Sequence, residues 1–90
     1  MLDAPEYLEP TKQLTEGFKR VLRGASYTAF IQGKIAVSHE DDGQITINCI
    51  NSFIQDYLSE YYTGNAEKIT GKRVRFITLH GEYDGRRRYR

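Results

Sequence analysis

The ninety residues predict a small α+β domain in two layers, a three-stranded sheet covered by helices in the order α-α-β-β-α-β. Two features carry this reading. Between Ile45 and Tyr62 the run ITINCINSFIQDYLSEYY switches from an apolar period of two to a helical period across Asn51 and Ser52. Period-two segments also occur around Ile35 and Val37 and around Val74 and Phe76, each apolar on one face only. A one-faced sheet and a striped helix have to cover each other, and this gives the two layers.

Residues 1 to 10 hold both prolines and few apolar side chains, so they form a lead-in to a domain spanning residues 11 to 80. A first helix is expected just after Pro10, with Leu14, Phe18, Val21 and Leu22 on one stripe. Gly17 weakens that helix by about 1 kcal/mol relative to Ala, and Gly24 is placed to end it. A short second helix runs from Ser26, a good cap, through Tyr27, Phe30 and Ile31 to Gly33. Ile35 and Val37 mark the first strand. Glu40-Asp41-Asp42-Gly43 carries the Asp-Gly signal of a hairpin turn, and the strand from Gln44 to Ile50 returns antiparallel.

In the third helix, Ser52 is expected to cap and Gln55, three positions on, to close a capping box. Ile54, Tyr57, Leu58 and Tyr61 supply its apolar stripe, while Tyr62 is expected at the surface. Gly64 and Asn65 signal a break, with Ile69 continuing the apolar face in a further turn. Lys72 to Leu79 reads as the last strand, Val74 and Phe76 facing inward between Arg73, Arg75 and Ile77. Residues 81 to 90 form a basic flexible tail.

A chain of this length buries about 60 to 65% of its unfolded surface, so its core is thin. With 39% hydrophobic residues and eleven aromatics it has the composition of a folded protein. No run reaches the roughly 18 to 20 apolar residues of a membrane span, and MLDAPEYLEP lacks the order of a signal peptide. A cytoplasmic protein without a membrane partner is expected. The lone cysteine, Cys49, alternates in phase with Ile45 and Ile47 and reads as a small buried hydrophobe.

The net charge of +1 conceals a split: residues 1 to 66 sum to −4 and residues 67 to 90 to +5. Lys72, Arg73, Arg75 and the Arg86, Arg87 and Arg88 triplet are therefore the candidate phosphate-contacting residues. Signatures of catalysis are missing. His39 and His80 stand alone, with no metal-ligand spacing, and Glu40-Asp41-Asp42 lacks the alternation of a calcium loop. Gly71-Lys72 is followed by Arg and a strand, unlike a P-loop, and neither a dinucleotide fingerprint nor a Gly-x-Ser-x-Gly elbow occurs. A non-enzyme without metal or cofactor is expected.

The SYTAFIQG helix, the run ITINCINSFIQDYLSEYY and the final RVRFITL strand together resemble the amino-terminal domain of the bacterial replication initiator DnaA. Tyr27, Phe30 and Ile31 match the aromatic motif of its second helix. Asn51, Phe53, Tyr57, Leu58 and Tyr61 or Tyr62 match that of its third, and the likeness spans roughly Leu14 to Leu79. The resemblance implies a KH-like fold and a protein-interaction module of replication initiation, binding the replicative helicase or initiator-regulating proteins and self-associating as a homodimer. It places the contact face on Ser26, Tyr27, Asn51, Phe53 and Gln55, with Phe53 as the aromatic anchor. Two positions depart from the family. No Trp is present for first-helix self-association, and Ser26 stands where some members carry an acidic residue. The KH-like likeness opens an alternative role, weak nonspecific DNA or RNA binding, although no Gly-x-x-Gly loop is present.

Overall fold

The computed structural model describes residues 7 to 78. Its elements are α1 (Leu8–Lys19), α2 (Ala25–Phe30), β1 (Ile35–Glu40), β2 (Gln44–Cys49), α3 (Ser52–Tyr61), α4 (Thr63–Thr70) and β3 (Arg73–Ile77). The α+β class and the three-stranded sheet are as the sequence predicts, with one helix more. The sheet order is β1-β2-β3, β1 and β2 antiparallel and β2 and β3 parallel. A parallel neighbour requires a crossover, and α3 with α4 supplies it.

The first helix starts earlier than expected because Pro10 is tolerated in a first turn, where its missing N–H has no intrahelical partner anyway. It also ends earlier. After Lys19 the N–H groups of Val21 and Leu22 both donate to the Phe18 carbonyl, and this tightened turn leaves Val21 exposed while Leu22 stays buried. Gly24 does not end α1. It stands as the N-cap of α2 at φ +60°, a left-handed conformation that glycine adopts freely, so Ser26 is not the cap.

The hairpin turn is held by Asp41, whose Oδ1 accepts from the backbone N–H groups of Gly43 at 3.0 Å and Gln44 at 2.9 Å. Those two hydrogen bonds hold the Asp41 carboxyl below its usual range. Opposite the turn, the register slips between Val37 and His39, which makes Ser38 a bulge. In α3 the cap is Asn51 rather than Ser52: its Oδ1 accepts from the Ile54 N–H at 2.8 Å. Past Tyr62, where a break was expected, α4 continues to Gly71 at φ +72°. Gly64 and Asn65 fall in its first turn, and the fully buried Ala66 anchors it to the core.

Leu14 and Phe18 from α1, Leu22 in the turn after it, Ile31, the inward residues Ile35, Val37, Ile45, Ile47, Cys49 and Phe76, and Ile54 and Leu58 from α3 form one core. Phe30 and Val74, expected inside, pack at its margin. Both edges of the sheet are closed by side chains. Thr11 Oγ1 accepts the Val37 N–H of β1 at 2.9 Å, and Glu67 accepts the Val74 N–H of β3 at 3.2 Å. An ion pair of 2.6 Å between Lys72 and Glu40 ties the approach to β3 to the end of β1.

Two outcomes test this packing. Leu58→Ala is expected to lower unfolding free energy by about 2 to 5 kcal/mol in denaturant titration, since Leu58 has no solvent exposure. Gly17 gives the sharper case, because a Cβ there would lie 2.5 Å from Ile69 Cγ2 on α4. Helix propensity alone favours Ala by about 1 kcal/mol, whereas overpacking costs about 1 to 3 kcal/mol. Gly17→Ala is therefore expected to destabilise the parent and to stabilise an Ile69→Ala background. Stabilisation in both would mean that α1 and α4 are not in close approach.

Candidate interaction surface

The aromatic residues do not divide into core and surface as their spacing first suggests. They form a connected row. Phe18, fully buried, meets Tyr62 edge-on at 6.3 Å between ring centres, and Tyr62 lies 5.7 Å from Tyr57. Tyr57 stacks on Phe30 of α2 at 4.1 Å and 15°, and lies 5.3 Å from Tyr61. Phe53 joins from the first turn of α3, 6.1 Å from Phe30. The outer members are open to solvent, Phe53 at 65% and Tyr61 at 64%.

Helical geometry accounts for this placement. Ile54, Leu58 and Tyr62 follow one another at steps of four and face the sheet, whereas Phe53, Tyr57 and Tyr61 make a second line one residue behind. Tyr61, expected at the core rim, is therefore exposed, and Tyr62, expected at the surface, is half-buried. Asp56 and Glu60 lie exposed on the same helix, and neither α2 nor α3 contains a cation. Partial burial and the hydrogen bond with Tyr57 raise the Tyr62 hydroxyl above its ordinary value, so it remains a neutral phenol at physiological pH.

Of the residues expected at a partner-binding face, Phe53 is the exposed aromatic. Asn51 Oδ1 is engaged as the α3 cap. Gln55 turns toward β3, its Nε2 donating to the Phe76 carbonyl at 3.1 Å and its Oε1 accepting from the Thr78 hydroxyl. Ser26 is exposed, and Tyr27 points toward α1, where the Lys19 Nζ stands 5.6 Å from its ring centre. Sequence reading missed Tyr61 as a surface residue. The step-of-four line from Phe53 was the available signal.

The basic residues are dispersed. Lys72 is occupied by Glu40, while Arg73 and Arg75 lie exposed on the open face of the sheet, Arg75 in register with Thr46 and His39. Arg73 shares a shallow pocket with Asp41 and Glu67. Arg86, Arg87 and Arg88, like His80, lie outside the described residues. Among the described residues no group of three or more His, Cys, Asp or Glu converges for a metal ion, and no helix is long and apolar enough to cross a membrane. No protein-family model matches the chain, and no curated protein matches it by sequence.

Cys49 sits on the inward side of β2 opposite Ile35, fully buried, and burial pushes its thiol up to about 12. The reactive thiolate is then negligible at pH 8. Labelling by an aromatic disulfide reagent at pH 8 is expected only in denaturant. Labelling of the native protein at the rate of a free thiol would remove Cys49 from the core.

Proposed function

We propose that this protein is a non-catalytic protein-interaction module of the bacterial cytoplasm that docks a partner on the aromatic surface of α2 and α3. The observation that carries this is Phe53: a Phe at 65% exposure, braced by Phe30 and linked through Tyr57 to the core. An aromatic so exposed forfeits burial free energy in the isolated domain, and a partner that covers it recovers that term. Because the rings are already stacked, less rotamer entropy is lost on docking than for free side chains.

Charge defines the partner's chemistry. Asp56 and Glu60 rim the rings and no cation stands on either helix, so the surface fits an apolar segment flanked by Lys or Arg. The likeness of Tyr27, Phe30, Asn51, Phe53 and Leu58 to the DnaA amino-terminal domain points to the replicative helicase or an initiator-regulating protein as the bearer of that segment. The crossover fold supports this role by holding α3 rigidly against the sheet.

Titration with the replicative helicase and with initiator-associated proteins tests the reading. Phe53→Ala is expected to weaken capture by about 2 kcal/mol or more, as truncation of a central anchor does. Its thermal midpoint should stay near the parent's, since most of the ring is already in water. Tyr61→Ala should weaken capture less. Binding by Phe53→Ala equal to the parent's, or unfolding of that variant, would show that the proposed surface is wrong.

A further inference from the structure

A second surface carries chemistry of the opposite sign. Residues 17 to 39 contain Lys19, Arg20, Arg23 and Lys34 and no carboxylate. The fold brings three of these cations to one place, where α2 leaves the end of α1. A cleft there is lined by Lys19, Leu22, Arg23, Tyr27, Thr28 and Gln32. Lys34 reaches the same edge, its Nζ donating to the Thr28 carbonyl at 3.3 Å. Tyr27 is half-buried in the cleft beside the Lys19 ammonium, and the buried Leu22 supplies its apolar part. Among the described residues, by contrast, Lys72 is neutralised by Glu40 and Arg73 stands beside Asp41 and Glu67.

We infer that this cleft binds a single-stranded nucleic acid, taking phosphates on Lys19 and Arg23 and one base on Tyr27. The cleft offers the three kinds of contact a nucleotide asks for. Ammonium and guanidinium groups neutralise phosphate oxygens, a tyrosine ring gives a base a stacking platform, and the Gln32 amide offers a donor and an acceptor to a base edge. An acidic peptide would use the cations and leave the ring and the amide without a role. A duplex would keep its bases stacked away from Tyr27. The sequence alone pointed to Lys72, Arg73, Arg75 and the arginine triplet for this contact. The pairing of Lys72 and the acidic surroundings of Arg73 shift it to the α1–α2 edge.

Fluorescence anisotropy of the full chain with labelled 15-residue oligothymidylate and oligouridylate, over a salt series, tests the inference. Lys19→Ala with Arg23→Ala is expected to flatten the slope of log affinity against log salt by about 1.4, the loss of two single-strand phosphate contacts. Tyr27→Leu keeps an apolar side chain in the cleft and should weaken binding about 5- to 150-fold, the loss of one stacked base. Loss through these residues with either oligonucleotide supports the site, and the tighter one identifies the strand. Three results overturn it: parental affinity in the Lys19/Arg23 variant, loss confined to replacement of Arg86, Arg87 and Arg88, or polyglutamate competing as well as the oligonucleotide. Phe53→Ala serves as the control. It lies outside the cleft and should bind both strands as the parent does, whatever its effect on protein partners.

Discussion

The parallel pairing of β3 with β2 is the constraint on which the other contacts depend. A parallel neighbour cannot be reached by a hairpin, so the chain must leave the end of β2, cross the sheet and return to begin β3 beside Gln44. Asn51 starts that crossing by capping α3, and Gly71 ends it in a left-handed turn. The returning strand lies at an edge, and edge groups left unpaired are a liability. Glu67 and Gln55, both carried on the crossover, meet the Val74 N–H and the Phe76 carbonyl. The crossing helices therefore bury one face of the sheet and give partners to two edge groups of the strand they deliver.

That arrangement also explains why aromatic rings stand at the surface. With Ile54 and Leu58 fixed against the sheet, the next line on α3 has nowhere to go but beside α2 and out to solvent. Phe30 and Tyr57 stack where the two helices meet, and the rings on either side of that stack stand at the boundary. Six residues of α2 would be a marginal helix alone. Its place is secured by Ile31, which is fully buried just beyond its end, and by the stack on Tyr57. The aromatic row thus draws its rigidity from the core.

Much of this was legible in the sequence because the signals were local. The period of two at Ile45, Ile47 and Cys49 and the switch at Asn51 placed β2 and α3, and the Asp-Gly turn placed the hairpin. What escaped depended on partners distant in the chain. Gly17 reads as a weak point of a helix until Ile69 of α4 is seen against it, and Gln55 reads as a capping residue until β3 arrives at its amide. Lys72 reads as a free cation until Glu40, more than thirty residues earlier, is found beside it. Tyr61 and Tyr62 differ by one position, which on a helix is a rotation of about 100°. Only the packing of Tyr62 on Phe18 decides which of the two turns inward.

A formal charge of +1 would suggest a surface without electrostatic character, yet the fold segregates its charges. Cations collect at the α1–α2 edge, while carboxylates line the aromatic row of α3. As binding sites of the kinds proposed, the two surfaces would answer differently to salt. Association with a polyanion is driven by counterion release and weakens steeply as ionic strength rises. Docking on stacked aromatic rings rests on apolar burial, which moderate salt does not screen, with Asp56 and Glu60 adding rate and orientation at the rim. On the two readings proposed above, one small domain would hold a protein partner across a range of ionic strength in which its hold on a nucleic-acid strand is tuned. α2 stands between the two surfaces, its Tyr27 beside Lys19 of α1 and its Phe30 stacked on Tyr57 of α3.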